Sequence, residues 1–167
     1  DFVLTGNEII KLLNTHGIKI PYGKKSQADK PCTNDSSSGV LFEIKGGIIE
    51  TIIREMQILL NQTPPKTKIL ELRAEKDFID YEVVIGKFKF KTAIIEGVNS
   101  IKKYESQILE NKYDFIEVRS CASGCILGCG QRSLYNNSDE DNLKKMKKIV
   151  YEFDDKNYVD SPSKNPF

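Results

Sequence analysis

The sequence has almost no charge imbalance: 25 lysines and arginines stand against 24 aspartates and glutamates, a formal net charge of +1 over 167 residues. That balance removes the electrostatic reason to expect nucleic acid or an anionic membrane surface as the main partner. Long apolar runs are missing too. Nothing approaches the roughly 18 residues of a membrane span, and the opening DFVLTGNEII lacks the basic start and small-residue cleavage site of a secretory leader. These absences give the expectation of a soluble, cytoplasmic protein with neither nucleic acid nor membrane as partner. Histidine is nearly absent. The single His16 has no context for serving a cysteine nucleophile as general base, and in the last turn of a helix it reads as solvent-facing. Gly46 and Gly47 precede a helix, but no Gly-Lys-Ser/Thr ending follows, which argues against a phosphate-binding loop.

What is present fits one domain with one core. The chain begins at Asp1 and enters at once on a strand-like FVL, so the expectation is a fragment with something preceding it. Thr5 and Glu8 form a capping box for a helix with Ile9, Ile10, Leu12 and Leu13 on one face and Gly17 as its stop. Residues 18–39 read as a polar surface loop. A short apolar run, a Gly46–Gly47 turn and a helix carrying Ile48, Ile49, Ile52, Ile53, Met56, Leu59 and Leu60 follow, ended by Pro64 and Pro65.

Alternation then predicts a hairpin, with Ile79, Tyr81, Val83 and Ile85 on one arm, Phe88, Phe90, Thr92 and Ile94 on the other, and a turn near Gly86–Lys87. A helix near 98–110, with Ile101, Tyr104, Ile108 and Leu109 inward, leads to YDFIEV as a buried strand. Strand, helix, strand implies a right-handed crossover. The expected fold is therefore α/β, a mixed, partly parallel sheet with flanking helices. Its segments are 1–17 (strand end and helix), 18–39 (loop), 40–132 (α/β core) and 133–167. The last holds a short charged helix, with apolar Leu143, Met146, Ile149 and Val150, and a tail.

Of four cysteines, three lie within nine residues in FIEVRSCASGCILGCGQR: Cys121, Cys125 and Cys129. A disulfide across so short a loop constrains little unfolded-state entropy, and nothing indicates secretion. The loop leaves the carboxyl end of a strand, where ligands of open α/β sheets bind. Iron–sulfur clusters need thiolates together with backbone N–H groups and a loop able to wrap an inorganic core, and glycines at 124, 128 and 130 permit that approach. Zinc would use the same thiols, though structural zinc sites favour two-residue gaps and often a histidine, so a zinc-stabilised interaction module ranks lower. The plainest alternative is buried, inert thiols. Arg119 is placed either to lower a thiol pKa or to offset a cluster's negative charge. Cys32, in the polar loop, reads as an exposed thiol.

The stretch EVRSCASGCILGCGQ resembles the cluster loop in the C-terminal part of the iron-only hydrogenase family, roughly Glu-Val-Met-Ala-Cys-Pro-Gly/Ser-Gly-Cys followed by a residue pair and Gly-Gly-Gly-Gln. DFVLTGNEIIKLL, SSSGVLFEIKGGIIETIIRE and YDFIEV are similar to further family segments in the same order. The resemblance implies that Cys121 and Cys125 ligate a 4Fe-4S cluster. It also implies that the remaining ligands come from an upstream part of the same protein or a companion subunit, and that the chain is the C-terminal portion of a larger hydrogenase-like fold.

The departures are Arg119 for Met, Ala122 for Pro, Cys129 for a glycine and Gln131-Arg132 for Gln-Pro. An arginine suits a buried diiron pocket poorly. LRAEKDFIDYEV and NLKKMKKIVYEFDDKNYVDSPSKNP resemble instead the nuclear prelamin A recognition factor-like branch, which acts in cytosolic iron–sulfur assembly. That branch implies a non-enzymatic, cluster-binding role with assembly and targeting proteins as partners. The alternative is an iron-only hydrogenase or hydrogen sensor with a diiron centre. Cys129 has no counterpart in the motif and stands as a substitute ligand, a redox-active neighbour or an inert thiol.

Overall fold

The computed structural model describes residues 2–19, 27, 36–60, 69–74, 76–121, 124–131, 139–156 and 163. Pro64, Pro65, Cys32 and nearly all of the polar loop and tail lie outside them. Among the described residues six helices and three strands run in the order α1 (Gly6–Thr15), α2 (Ser37–Leu41), α3 (Gly47–Leu59), β1 (Phe78–Ile85), β2 (Phe88–Glu96), α4 (Val98–Lys103), α5 (Glu105–Asn111), β3 (Phe115–Arg119) and α6 (Asp139–Lys156). Short 3-10 turns occupy Leu70–Arg73 and Cys125–Leu127. The sheet order is β1-β2-β3, with β1 antiparallel and β3 parallel to β2. The expected hairpin forms as read, Ile85 opposite Phe88 across Gly86 and Lys87, and α4 and α5 provide the crossover to the parallel strand.

The capping box is present. The Thr5 hydroxyl accepts from Glu8 N and the Glu8 carboxylate accepts from Thr5 N at 2.8 Å. These bonds from the Thr5 backbone and hydroxyl hold the Glu8 carboxyl below its ordinary pKa. Yet α1 buries none of its residues, with Ile9 and Leu12 both exposed, and Phe2 and Val3 form no strand. The expected strand end at the start of the chain is corrected: its apolar side chains have no strand beside them among the described residues. The polar loop also ends sooner than read, because Ser37–Leu41, which takes in the start of the short apolar run, is a turn of helix.

Among the described residues two apolar clusters form the core. Ile49 and Ile53 of α3 pack with Ile69, Leu72, Ile79, Val83, Ile85 and Ile94 on one face of the sheet. Leu41, Ile44, Ile126 and Val150 form the second, joining the end of α2, the cysteine loop and α6. Gly47 is obligatory at their junction, since a Cβ there would collide with the Leu41 carbonyl.

Three expectations fail, the last two because polar groups take the inward position from apolar ones. The helix expected over 98–110 breaks at Tyr104, whose ring stacks on Phe78 at 4.7 Å; α4 and α5 bury nothing, and Ile101 and Leu109 face outward. β3 buries Glu117 and Arg119 while exposing Ile116 and Val118. α6 is long, 18 residues. It turns Leu143 and Val150 toward the core but leaves Met146 and Ile149 outside, while Lys147 and Asp154 are buried.

The orientation of α6 is set by ions. Arg54 of α3 donates to both oxygens of Asp154 at 2.8 and 2.9 Å and to Glu50 at 2.6 Å. Arg73 grips Glu50 with Nε and Nη2 at 3.0 and 2.6 Å and lies over the Tyr151 ring at 4.1 Å. Burial alone would lower the Arg54 pKa, but the bonds and charges of Asp154 and Glu50 outweigh it and raise it. Breaking such a pair from one side strands a buried charge. Arg54→Ala is expected to cost about 3–5 kcal/mol in urea unfolding, with α6 exchanging its amides fastest. An unchanged midpoint would show that α6 is held by Leu143 and Val150 alone.

Candidate functional site

The cysteine loop begins at the end of β3, in the parallel half of the sheet, as the sequence predicts. Period two puts Glu117 and Arg119 on the same face of β3. The Glu117 carboxylate accepts from Gly46 N at 2.9 Å and Ile49 N at 3.1 Å, capping the amino end of α3 with a buried negative charge. Arg119 neutralises it, Nε to Glu117 Oε1 at 2.8 Å. The other two guanidinium nitrogens of Arg119 donate to the carbonyls of Phe42 and Ile44, each at 2.6 Å. The carbonyl between them, Glu43 O, accepts from Cys125 N at 2.8 Å. One buried ion pair thus fixes the turn that fixes the loop.

This arrangement revises the reading of Arg119. The sequence suggested a cation for a thiol or a cluster, whereas all three nitrogens have protein partners in the frame beneath the loop. Its presence alone therefore says nothing for or against a diiron pocket.

The loop is held at both ends. Gly124 N donates to Cys121 O at 3.2 Å, and Ile126 is buried in the second core. Gly124 has φ +69° and ψ −157°, and a Cβ there would collide with the Glu43 carbonyl, so only glycine serves. At the far end Asn7, in the first turn of α1, donates its N to Gly130 O at 3.1 Å and its Nδ2 to Gln131 O at 2.8 Å. Cys121 is half-buried; Cys125 and Cys129 are exposed. His16 is exposed at the end of α1 with Nδ1 3.0 Å from Leu12 O.

The donor set is thus thiols on a tethered loop, the chemistry that suits a soft metal or an iron–sulfur cluster. Among the described residues no three His, Cys, Asp or Glu side chains gather closely enough to hold a metal ion. Among the described residues the fit is therefore partial: they offer part of a ligand set and not a closed site. Sequence reading missed Glu117, the Glu43 carbonyl, Ile126 and Asn7. Only Glu117 left a signal, a charge two residues from Arg119 inside an apolar strand.

An α/β domain with a cysteine loop at the carboxyl end of a parallel strand is the class that fold and site define. The profile of the family described as iron only hydrogenase large subunit, C-terminal domain, matches residues 1–129, and the chain belongs to that family. It is 31% identical over 136 residues to iron hydrogenase 1 of Clostridium pasteurianum, covering 78% of this chain and 23% of that protein. It is 28% identical over 138 residues to protein NAR1 of Arabidopsis thaliana, covering 78% and 29%. A probable cytosolic Fe-S cluster assembly factor of Drosophila mojavensis is also 28% identical, over 141 residues, covering 78% and 29%. The fold matches the apo [FeFe]-hydrogenase HydA1 from Chlamydomonas reinhardtii with TM-score 0.64 at 22% identity, covering 95% of this chain and 47% of that one. The chain thus spans less than a third of these curated relatives. No helix among the described residues is long and apolar enough to cross a membrane.

Gly124→Ala is expected to cost about 1–3 kcal/mol, from backbone strain at a conformation reserved for glycine, in a denaturant titration. Gly39→Ala, within α2 and with a Cβ that would meet only Ser36 Oγ at 3.6 Å, should leave the midpoint unchanged or raise it. Equal effects would mean that the Glu43 carbonyl does not constrain the loop.

Proposed function

We propose that this chain is the C-terminal portion of an iron–sulfur protein in which Cys121 and Cys125 supply two of the four thiolates of a 4Fe-4S cluster. It serves as a component of cytosolic iron–sulfur protein assembly rather than as an enzyme. The observation that carries the reading is the built loop. Cys121 and Cys125 flank Gly124, whose position is dictated by the Glu43 carbonyl, and Ile126 pins the loop to the second core. A cluster supplies electron storage or is itself handed on; this chain's part is to present thiolates at fixed positions and to shield one side of them. The other ligands come from the remainder of a longer protein or a companion subunit, consistent with the small share of its relatives that the chain spans. Partners in this role are iron–sulfur assembly and targeting proteins in the cytoplasm.

The choice of branch rests on the loop, because hydrogenases and assembly factors align at similar identity. Arg119, where the hydrogenase loop has methionine, is held in the frame by Glu117 and the carbonyls of Phe42 and Ile44 and does not decide between the branches. Cys129 adds an exposed thiol where that loop has glycine. The second reading is an iron-only hydrogenase with a diiron centre, favoured by the 31% identity to iron hydrogenase 1.

Anaerobically purified complete protein is expected to contain iron and acid-labile sulfide and to show no infrared bands of bound CO or CN. Cys121→Ser and Cys125→Ser should each remove at least half of the iron. CO and CN bands would establish the hydrogenase reading instead. A colourless protein with stoichiometric zinc, or iron content indifferent to both substitutions, would end the ligand assignment.

A further inference from the structure

Cys125 is held from two sides, and the frame around Arg119 accounts for only one of them. On that side its own N–H reaches Glu43 O at 2.8 Å. On the other side the next residue, Ile126, is buried with Leu41, Ile44 and Val150 in the second core. Val150 belongs to α6, and the 3-10 turn Cys125–Leu127 packs on that helix. The side chain of Cys125 is itself exposed, so its place is set by what holds its backbone and its neighbour.

An ion pair one turn further along α6 keeps Val150 beside the loop. Leu143, Lys147, Val150 and Asp154 follow one another at spacings of four, three and four, which is one face of a helix. The last three of them are buried, and Leu143 packs against the second core. Asp154 accepts from both terminal nitrogens of Arg54, at 2.8 and 2.9 Å, and Arg54 Nη1 also donates to Ser38 Oγ of α2 at 3.4 Å. Apolar burial is non-directional and fixes no angle of rotation; two charge-assisted bonds to one carboxylate do. Turning α6 far enough to lift Val150 off the loop would also pull Asp154 from Arg54 and strand both charges. The helix angle, the cover over Ile126 and the backbone of Cys125 are thus set in series by one pair of residues. The coupling is local, because the first core, on the sheet, shares no residue with the second.

We propose that α6 is a latch on the thiol loop, with Arg54 and Asp154 as positioning residues for Cys125. While their pair holds, the turn is clamped; when it opens, the turn is free to let a bound group go. The effect on a cluster rests on the reading of Cys125 as a cluster ligand given above, whereas the mechanical coupling exists in the iron-free protein as well. In a protein that hands clusters on, such a latch sets the rate at which a cluster leaves.

Amide hydrogen exchange of the iron-free complete protein, followed by mass spectrometry, reads the coupling. Asp154→Asn is expected to speed exchange in the peptide holding the Cys125 and Gly128 amides roughly tenfold more than in a peptide from β2. Val150→Ala, which trims the contact and leaves the ions in place, should show the same preference and serves where the charge variant does not fold. Ile79→Ala, in the first core, should show the reverse, with β2 accelerated more than the loop. In iron-loaded protein both α6 variants should lose iron to a ferrous chelator about fivefold faster than the parent, and Ile79→Ala should not. Equal acceleration of loop and β2 in the α6 variants, a loop peptide indifferent to both, or unaltered iron loss from both would overturn the proposal. A parent protein whose iron is indifferent to Cys125→Ser would instead end the ligand reading and with it the effect on cluster release, while the exchange result would still decide the coupling.

Discussion

The buried pair of Glu117 and Arg119 is the constraint on which the site depends. It sits at the end of a parallel strand, at positions that an apolar pair could also have filled. Instead the carboxylate caps the helix that builds the main core, and the guanidinium collects two carbonyls from the turn before that helix. A buried ion pair of this kind adds little net stability over a well-packed apolar substitute, because desolvation consumes most of the Coulombic gain. What it supplies is position. The end of β3 is fixed to the distant turn and helix start at residues 42–49 to within hydrogen-bond tolerance, and the carbonyl left between the two that Arg119 takes is the one that holds Cys125.

The second ionic network follows the same logic at the other side of α3. Glu50, Arg54, Arg73 and Asp154 lock the last helix in a chosen rotation, and the apolar residues displaced outward by that choice become surface. α3 therefore carries polar determinants along its length: Glu117 at its amino end, then Glu50 and Arg54 on its buried side. The apolar residues of the helix make the core, and its charges decide what is attached to the core and in which orientation.

Much of the fold was legible because its causes are local. The Thr5–Glu8 capping box, the Gly86 turn between alternating strands and the glycine pair before α3 are each settled within a few residues, and each is present. The parallel pairing of β2 with β3 followed from chain topology. What could not be read has partners far away: Arg119 answers to Phe42 and Ile44, and Arg54 to Asp154, separations of 77, 75 and 100 residues. Without those partners a strand spelled FIEVR reads as buried by its isoleucine and valine, and α6 as buried by Met146 and Ile149. The site was legible as thiols and glycines, since that chemistry is compositional. Its tether to Asn7 and to the Glu43 carbonyl was not, because backbone acceptors leave no mark in a sequence.

The central claim is that the loop at the end of β3 exists to hold Cys121 and Cys125 as a pair of metal-cluster ligands. Diffraction from anaerobic crystals of the complete protein, recorded on both sides of the iron absorption edge, addresses it at the atoms concerned. The account predicts an anomalous iron peak within bonding distance of both Sγ atoms, with Arg119 still on the carbonyls of Phe42 and Ile44. Iron bound elsewhere with both thiols unliganded, or a peak at the zinc edge alone, would contradict it.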